Sequence, residues 1–144
     1  MKNYGIALCV FFFTIIACNK DDNGGGYTAT PLNLEIPAFF EENILPPIIP
    51  DDNPMSVEGV ALGKKLFFDP ILSANNTQSC ADCHSPQNGF SDARQFSIGI
   101  TGEAGNRNSM PLQNLAWNYN GKFFWDGRAG SLEDQIFEPV TNPI

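Results

Sequence analysis

The chain has 144 residues, enough for one domain, and carries 16 acidic against 8 basic residues for a formal charge of -8. It has no clustered Lys and Arg of the kind that phosphate binding needs, which argues against a nucleic-acid partner. The acid is uneven. Eight carboxylates and the single base Lys20 lie between Asn19 and Glu58, whereas eight carboxylates and six bases follow from Gly59 onward. This division implies an acidic tether leading into a more balanced folded body. An acidic surface suits a basic redox partner, although charge alone names none.

The N-terminus has the form of a targeting segment. Lys2 precedes an apolar run from Gly5 to Ala17, too short for a permanent membrane helix but suited to a signal peptide. The run ends in Ile15-Ile16-Ala17-Cys18, which resembles a bacterial lipoprotein signal cleaved before a cysteine that then carries lipid. Residues 1–17 are therefore expected to be the signal. Residues 18–55 are expected to be a tether lipidated at Cys18, since two or more acyl chains hold a protein stably on a membrane. Asn19 does not match an inner-membrane retention signal, so the expected location is the periplasmic side of the outer membrane. Lys20-Asp21-Asp22 resembles the surface-export signal of some Bacteroidetes lipoproteins, which adds the cell surface as an alternative.

Gly24-Gly25-Gly26 marks a flexible linker. Six prolines between Pro31 and Pro54 exclude a long helix there and predict an extended arm. Ser56 is a helix N-cap, with Glu58 in the first turn and Val60, Leu62, Leu66 and Phe67 at near-helical spacing. Lys64 and Lys65 suit the negative end of this helix, and Asp69-Pro70 stops it. Asn75 to Thr77 and Gln87 to Gly89 are turns, and Arg94 to Gly105 is mostly loop. Leu112 to Phe124 combines packed loop with a short helical piece, followed by a compact turn at Trp125 to Arg128. Ser131 caps a last helix, with Asp134 as its capping-box acid, that should end near Pro139. Strand alternation is too sparse for a sheet, so the fold class is all-α with extended loops.

The chemistry centres on Cys80-Ala81-Asp82-Cys83-His84, a C-x-x-C-H pattern that signals covalent c-type haem. One helical turn between the thiols matches the two haem vinyl groups, and the adjacent imidazole then reaches the iron. A redox dithiol would prefer a strand-to-helix setting. Zinc lacks a second cysteine pair and a second histidine, because His84 is the only one in the chain. Bis-histidine ligation within the chain is therefore excluded. Met110, 26 residues beyond His84, is the candidate for a second axial ligand, with core packing as its alternative. The leading expectation is an open distal side. Asp92 and Glu103 are possible proton shuttles, but their ordinary reading is as solvated loop acids.

Further motifs accompany this one. GKKLFFD spans Gly63 to Asp69, SCADCHSPQNGFSD follows from Ser79, SIG from Ser97 and RNS from Arg107. FFWDGRAGSLEDQ runs from Phe123 to Gln135, and PVTNP from Pro139. Together they resemble the N-terminal half of the bacterial di-haem cytochrome c peroxidase family, which also includes the methylamine-utilisation di-haem enzyme. The resemblance covers Val57 to Ile144 and implies a cytochrome c-like haem domain over residues 56–144. It implies reduction of hydrogen peroxide to water with electrons from a small redox protein. Oxidation of another substrate by a di-haem enzyme and simple electron transfer are the alternatives.

By the same resemblance, Cys80, Cys83 and His84 hold one haem c. Trp125 lies between two haems and assists electron transfer, unless it is an aromatic core residue. Asn108 is a calcium ligand, unless it only bonds backbone in a turn. Arg107 and Arg128 contact haem propionates or a second domain, unless they form surface ion pairs. A homodimer is compatible with the family pattern. Ile100 stands where many relatives have a distal histidine, so a ligand switch there is not expected. The family's distal glutamate and second C-x-x-C-H are not within the sequence, which is expected to be part of a longer protein.

Overall fold

The computed structural model describes residues 28–142, and the expected signal, Cys18 and the triple glycine lie outside them. Among the described residues four α-helices form: α1 (Ala38–Asn43), α2 (Val57–Phe68), α3 (Cys80–Cys83) and α4 (Leu132–Thr141). Short 3-10 turns occupy Pro70–Leu72, Pro86–Asn88 and Leu115–Trp117. Among the described residues no strand forms, and only isolated antiparallel bridges pair Pro31 with Ser56, Ser85 with Ser91, Ile98 with Ala104 and Phe123 with Ala129. The architecture is helical with long connecting loops.

Helix α2 begins where a polar cap meets an apolar periodicity. The Ser56 hydroxyl accepts from the Gly59 N–H at 3.0 Å, satisfying one of the free donors of the first turn. Asp69 adopts extended backbone before Pro70 and ends the helix. Its carboxylate then accepts from the Ile71 N–H at 3.0 Å, so one residue closes α2 and opens the next turn.

Among the described residues, the segment before α2 holds only the six-residue α1, consistent with its proline content. Backbone bonds from Leu32 to Met55 (3.0 Å) and from Val57 to Thr30 (2.9 Å) tie its start to the base of α2. Thr30 also donates through its N–H and hydroxyl to the Glu58 carboxylate at 2.9 and 2.8 Å. Further on, the Ile48 N–H donates to the Ala116 carbonyl at 2.7 Å, and the Trp117 indole and Tyr119 hydroxyl both donate to the Leu45 carbonyl. The Phe40 ring meets Trp117 edge-on at 5.8 Å.

The last helix ends within two residues of the expected stop at Pro139. The Ser131 hydroxyl caps α4 by accepting from the Asp134 N–H at 3.0 Å. The helix then runs through Pro139 to Thr141. Proline removes one N–H, and its ring clashes with the preceding turn, which is costly in a helix interior. Here only two helical residues follow, and the Thr141 hydroxyl donates to the Phe137 carbonyl at 2.8 Å. Of the described side chains, only Phe123 and Ala129 are buried, at 8% and 6% exposure.

Candidate haem site

Helix α3 is a single turn, and its geometry is fixed from both ends. Ser79 donates through its N–H (2.7 Å) and hydroxyl (2.9 Å) to one carboxylate oxygen of Asp82. The His84 N–H donates to the Cys80 carbonyl at 2.9 Å and closes the turn. Cys80 and Cys83 are free thiols at its two ends. This Ser79–Asp82 cap is absent from the sequence reading, although serine followed three residues later by an acid is its ordinary signal.

His84 is held by the loop that follows. The Phe90 N–H donates to the Ser85 carbonyl at 2.8 Å, and the Ser85 N–H donates to the Ser91 carbonyl at 3.3 Å. The Phe90 carbonyl thereby lies 3.2 Å from His84 Nδ1. A carbonyl only accepts, so the contact requires a proton on Nδ1. In the neutral ring, Nε2 then carries the free lone pair that a metal needs. Phe90 reaches this position in the left-handed region, at φ +58°, beside Gly89 at +66°. Its ring lies 6.2 Å from Phe67 of α2, which meets Phe68 at 5.0 Å.

The two thiols have different surroundings. Burial pushes the Cys80 thiol pKa up, partly offset by its own backbone and reinforced by Cys83. Burial likewise pushes Cys83 up, and the Asp92 charge adds to it, while Arg94 and the hydroxyls of Ser109 and Ser97 pull it back. The Gln78 amide approaches Cys83 Sγ at 3.5 Å and also donates to the Ile98 carbonyl at 2.7 Å. Ser97 and Ser109 hydroxyls sit 2.6 Å apart. A polar ring thus surrounds Cys83, built from residues scattered between 78 and 109, and no local motif announces it.

Asp92 is not a solvated loop acid. Arg94 grips its carboxylate with Nε at 2.9 and 3.1 Å and Nη2 at 2.7 Å, and the Asp92 side chain is only 4% exposed. The Arg94 bonds hold the Asp92 pKa down to about 2, against the upward pull of burial. The carboxylate is thus committed to the Arg94 fork. Glu103 is exposed in the 98–104 loop, where its carbonyl accepts from the Gly99 N–H at 2.9 Å.

Asn108 bonds backbone in the manner of a turn residue. Its amide donates to the Asp92 carbonyl at 2.9 Å and the Arg94 carbonyl at 2.5 Å, leaving Oδ1 as its remaining side-chain acceptor. Calcium takes six to eight oxygens. Among the described residues no three His, Cys, Asp or Glu side chains gather as a metal group. The Asn108 carbonyl also accepts from Trp125 Nε1 at 2.9 Å. Trp125 is 60% exposed in this chain.

Arg128 is engaged by neighbours. It bonds the Asp126 carboxylate at 2.9 Å and Glu138 at 3.1 Å, and its guanidinium carbon sits 3.8 Å over the Phe124 ring. Surface ion pairing, one of its readings, is the arrangement present. Arg107 is exposed and makes no salt bridge among the described residues, while its carbonyl accepts from Ser97 at 3.2 Å. Ile100 and Met110 are both partly buried, and the Ile100 carbonyl lies 3.5 Å from the Asn75 amide.

These residues fit a covalent haem. Two thiols lie one turn apart, the adjacent imidazole presents Nε2, and the residue whose carbonyl holds it, Phe90, keeps its apolar ring 39% exposed. The profile of the family described as "Di-haem cytochrome c peroxidase" matches residues 57–144. The chain belongs to the di-haem cytochrome c peroxidase family. Membership implies covalently bound haem c. The chain is 48% identical over 94 residues to the methylamine utilization protein MauG of Methylorubrum extorquens, covering 65% of this chain and 26% of that protein. It is 45% identical over 112 residues to the cytochrome c peroxidase Ccp of Escherichia coli, covering 78% of this chain and 23% of that protein. The structure resembles that of a MauG-like protein associated with microbial copper homeostasis, with a TM-score of 0.69 and 37% identity over 78% of this chain and 31% of the other. The chain thus spans about a quarter of the length of the curated relatives it matches.

Proposed function

We propose that residues 56–144 form the cytochrome c-like haem domain of a di-haem cytochrome c peroxidase. Thioethers from Cys80 and Cys83 attach one haem c, and His84 Nε2 is the proximal ligand. The observation that carries this reading is the Phe90 carbonyl at 3.2 Å from His84 Nδ1, directly after two thiols one turn apart. It selects the tautomer that ligation requires and orients the ring, as such hydrogen bonds do for metal-bound histidines. The family match from Val57, one residue beyond the Ser56 cap, supports the domain boundary.

A haem bound here supplies the redox centre for taking hydrogen peroxide to water, a change that consumes two electrons and two protons per peroxide. Cys80 and Cys83 fix its position, and His84 provides a basic nitrogen on one side. Ile100 has no side-chain donor atom, so it cannot close the other side. Asp92 is paired with Arg94 and is not assigned the proton transfer. Trp125, 60% exposed, offers its π-system to an incoming electron. The donor is a small redox protein. A tether over residues 18–55, lipidated at Cys18, would hold the domain at the periplasmic side of the outer membrane.

A di-haem oxidase of another substrate is the second reading, favoured by the 48% identity to a methylamine utilization protein. Peroxide-dependent oxidation of a reduced small cytochrome by the complete gene product decides between them. Turnover that disappears in Cys80→Ala/Cys83→Ala, together with loss of denaturation-resistant haem stain, supports the peroxidase. Haem retained covalently but no peroxide turnover would favour the oxidase. Haem removed from the wild type by acid-acetone would sink covalent attachment altogether.

A further inference from the structure

Phe90 is a bulky residue held at φ +58°, where a side chain pays a steric cost that glycine does not. Such strain persists only where the surroundings enforce it. Both backbone polar groups of Phe90 are engaged. Its N–H is committed to Ser85 at 2.8 Å and its carbonyl faces His84 Nδ1 at 3.2 Å. The preceding left-handed Gly89, at +66°, turns the chain so that these two bonds are made from one residue. Glycine at 90 would satisfy the same backbone more cheaply. What phenylalanine adds is the ring, packed 6.2 Å from Phe67, which itself belongs to α2.

From these contacts we infer that Phe90 is a positioning residue for His84. Its ring anchors the 85–91 loop to α2, and the anchored, left-handed backbone holds the carbonyl on Nδ1. The imidazole is thereby fixed in orientation and enriched in electron density at Nε2, as a hydrogen bond to the non-ligating nitrogen does. The side chain acts only through the carbonyl of its own residue. This inference rests on the proximal-ligand reading of His84.

The test uses the complete gene product in a Met110→Ala background, so that methionine cannot mask the signal. Resonance Raman of the ferrous protein reads the iron–histidine stretch directly, and haem content is measured in parallel. In Phe90→Gly the backbone conformation is still allowed but the anchor is gone. The stretch should shift down and broaden, and Phe90→Leu, which restores an apolar anchor, should recover much of it. Phe67→Ala removes the other half of the contact without touching the loop, and should broaden the band in the same direction. An unchanged band in Phe90→Gly with normal haem content overturns the inference. If Phe90→Gly does not load haem, Phe67→Ala decides, and an unchanged band there overturns it equally. A Met110→Ala parent protein that carries haem but shows no iron–histidine band would instead refute the proximal-ligand reading.

Discussion

The Trp125 indole N–H donates to the Asn108 carbonyl at 2.9 Å, while the Asn108 amide clamps the carbonyls of Asp92 and Arg94. One residue therefore links the exposed indole to the loop that borders Cys83. The bond orients a ring that packing does not, since Trp125 is 60% exposed. Trp125→Phe should keep haem content and lose about 1 kcal/mol of stability, the usual worth of one such hydrogen bond. If the ring carries electrons, peroxide turnover by the complete protein should fall at least about tenfold, equivalent to ~1.4 kcal/mol in barrier. Stopped-flow kinetics with a pre-reduced donor would show it, and an unchanged rate would leave the indole a structural role only.

Asn108 predicts a larger structural effect. Asn108→Ala removes two donors from the carbonyls of Asp92 and Arg94. Carbonyls stripped of partners while partly covered cost about 1–3 kcal/mol. Thermal unfolding of the haem-loaded protein should show that loss, and Asn108→Asp should not restore it, because a carboxylate accepts and does not donate. Restoration by Asp would mean that a bound cation, and not the clamp, is what Asn108 serves.

The acid limb of stability follows from Asp92. Its pKa is held down to about 2 in the folded protein, mainly by hydrogen bonds from Arg94, against an ordinary 3.8. A depressed carboxyl contributes stability that is present above the unfolded value and lost as pH falls through the folded one. The contribution should therefore be complete above about pH 4 and fade toward pH 2. Its size is about 1–2 kcal/mol, discounted because Arg94 is half exposed. Denaturant titrations between pH 2 and 5 should show this slope in the wild type and a shallower one in Asp92→Asn.

Local signals in the sequence were sufficient for the elements that local chemistry determines. Ser56, Asp69-Pro70 and Ser131 mark helix ends because caps and prolines act within a few residues. The C-x-x-C-H run marks the thiols and imidazole for the same reason. Long-range relations were not legible. Gln78, Ser97 and Ser109 meet around Cys83 only after the loops close, and Arg94 captures Asp92 through a fork whose burial no window of residues reveals. The left-handed Phe90 was hidden too, since phenylalanine gives no hint of a positive φ. Pro139 marks the end of α4 to within two residues, since a proline in the last turn removes one bond and the helix goes little further.

The spin state of the iron is the sharpest remaining consequence. His84 is the only histidine in the chain, and Ile100 has no donor atom in its side chain. Lys64 and Lys65 are exposed on α2. Of the two methionines among the described residues, Met55 lies in the segment tied to the base of α2, which leaves Met110 as the candidate soft ligand. Met110 directly follows Ser109, whose hydroxyl meets Ser97 at 2.6 Å, and that bond commits the 108–109 backbone to the ring around Cys83. A thioether on iron would have to form from a chain already fastened on its N-terminal side. The ferric haem should therefore be high-spin as isolated, without prior reduction, and should bind cyanide readily. Electron paramagnetic resonance checks this. A dominant low-spin signal that turns high-spin in Met110→Ala would establish methionine ligation and move the function toward electron transfer. A high-spin signal unchanged by Met110→Ala would leave the side of the iron opposite His84 free for peroxide.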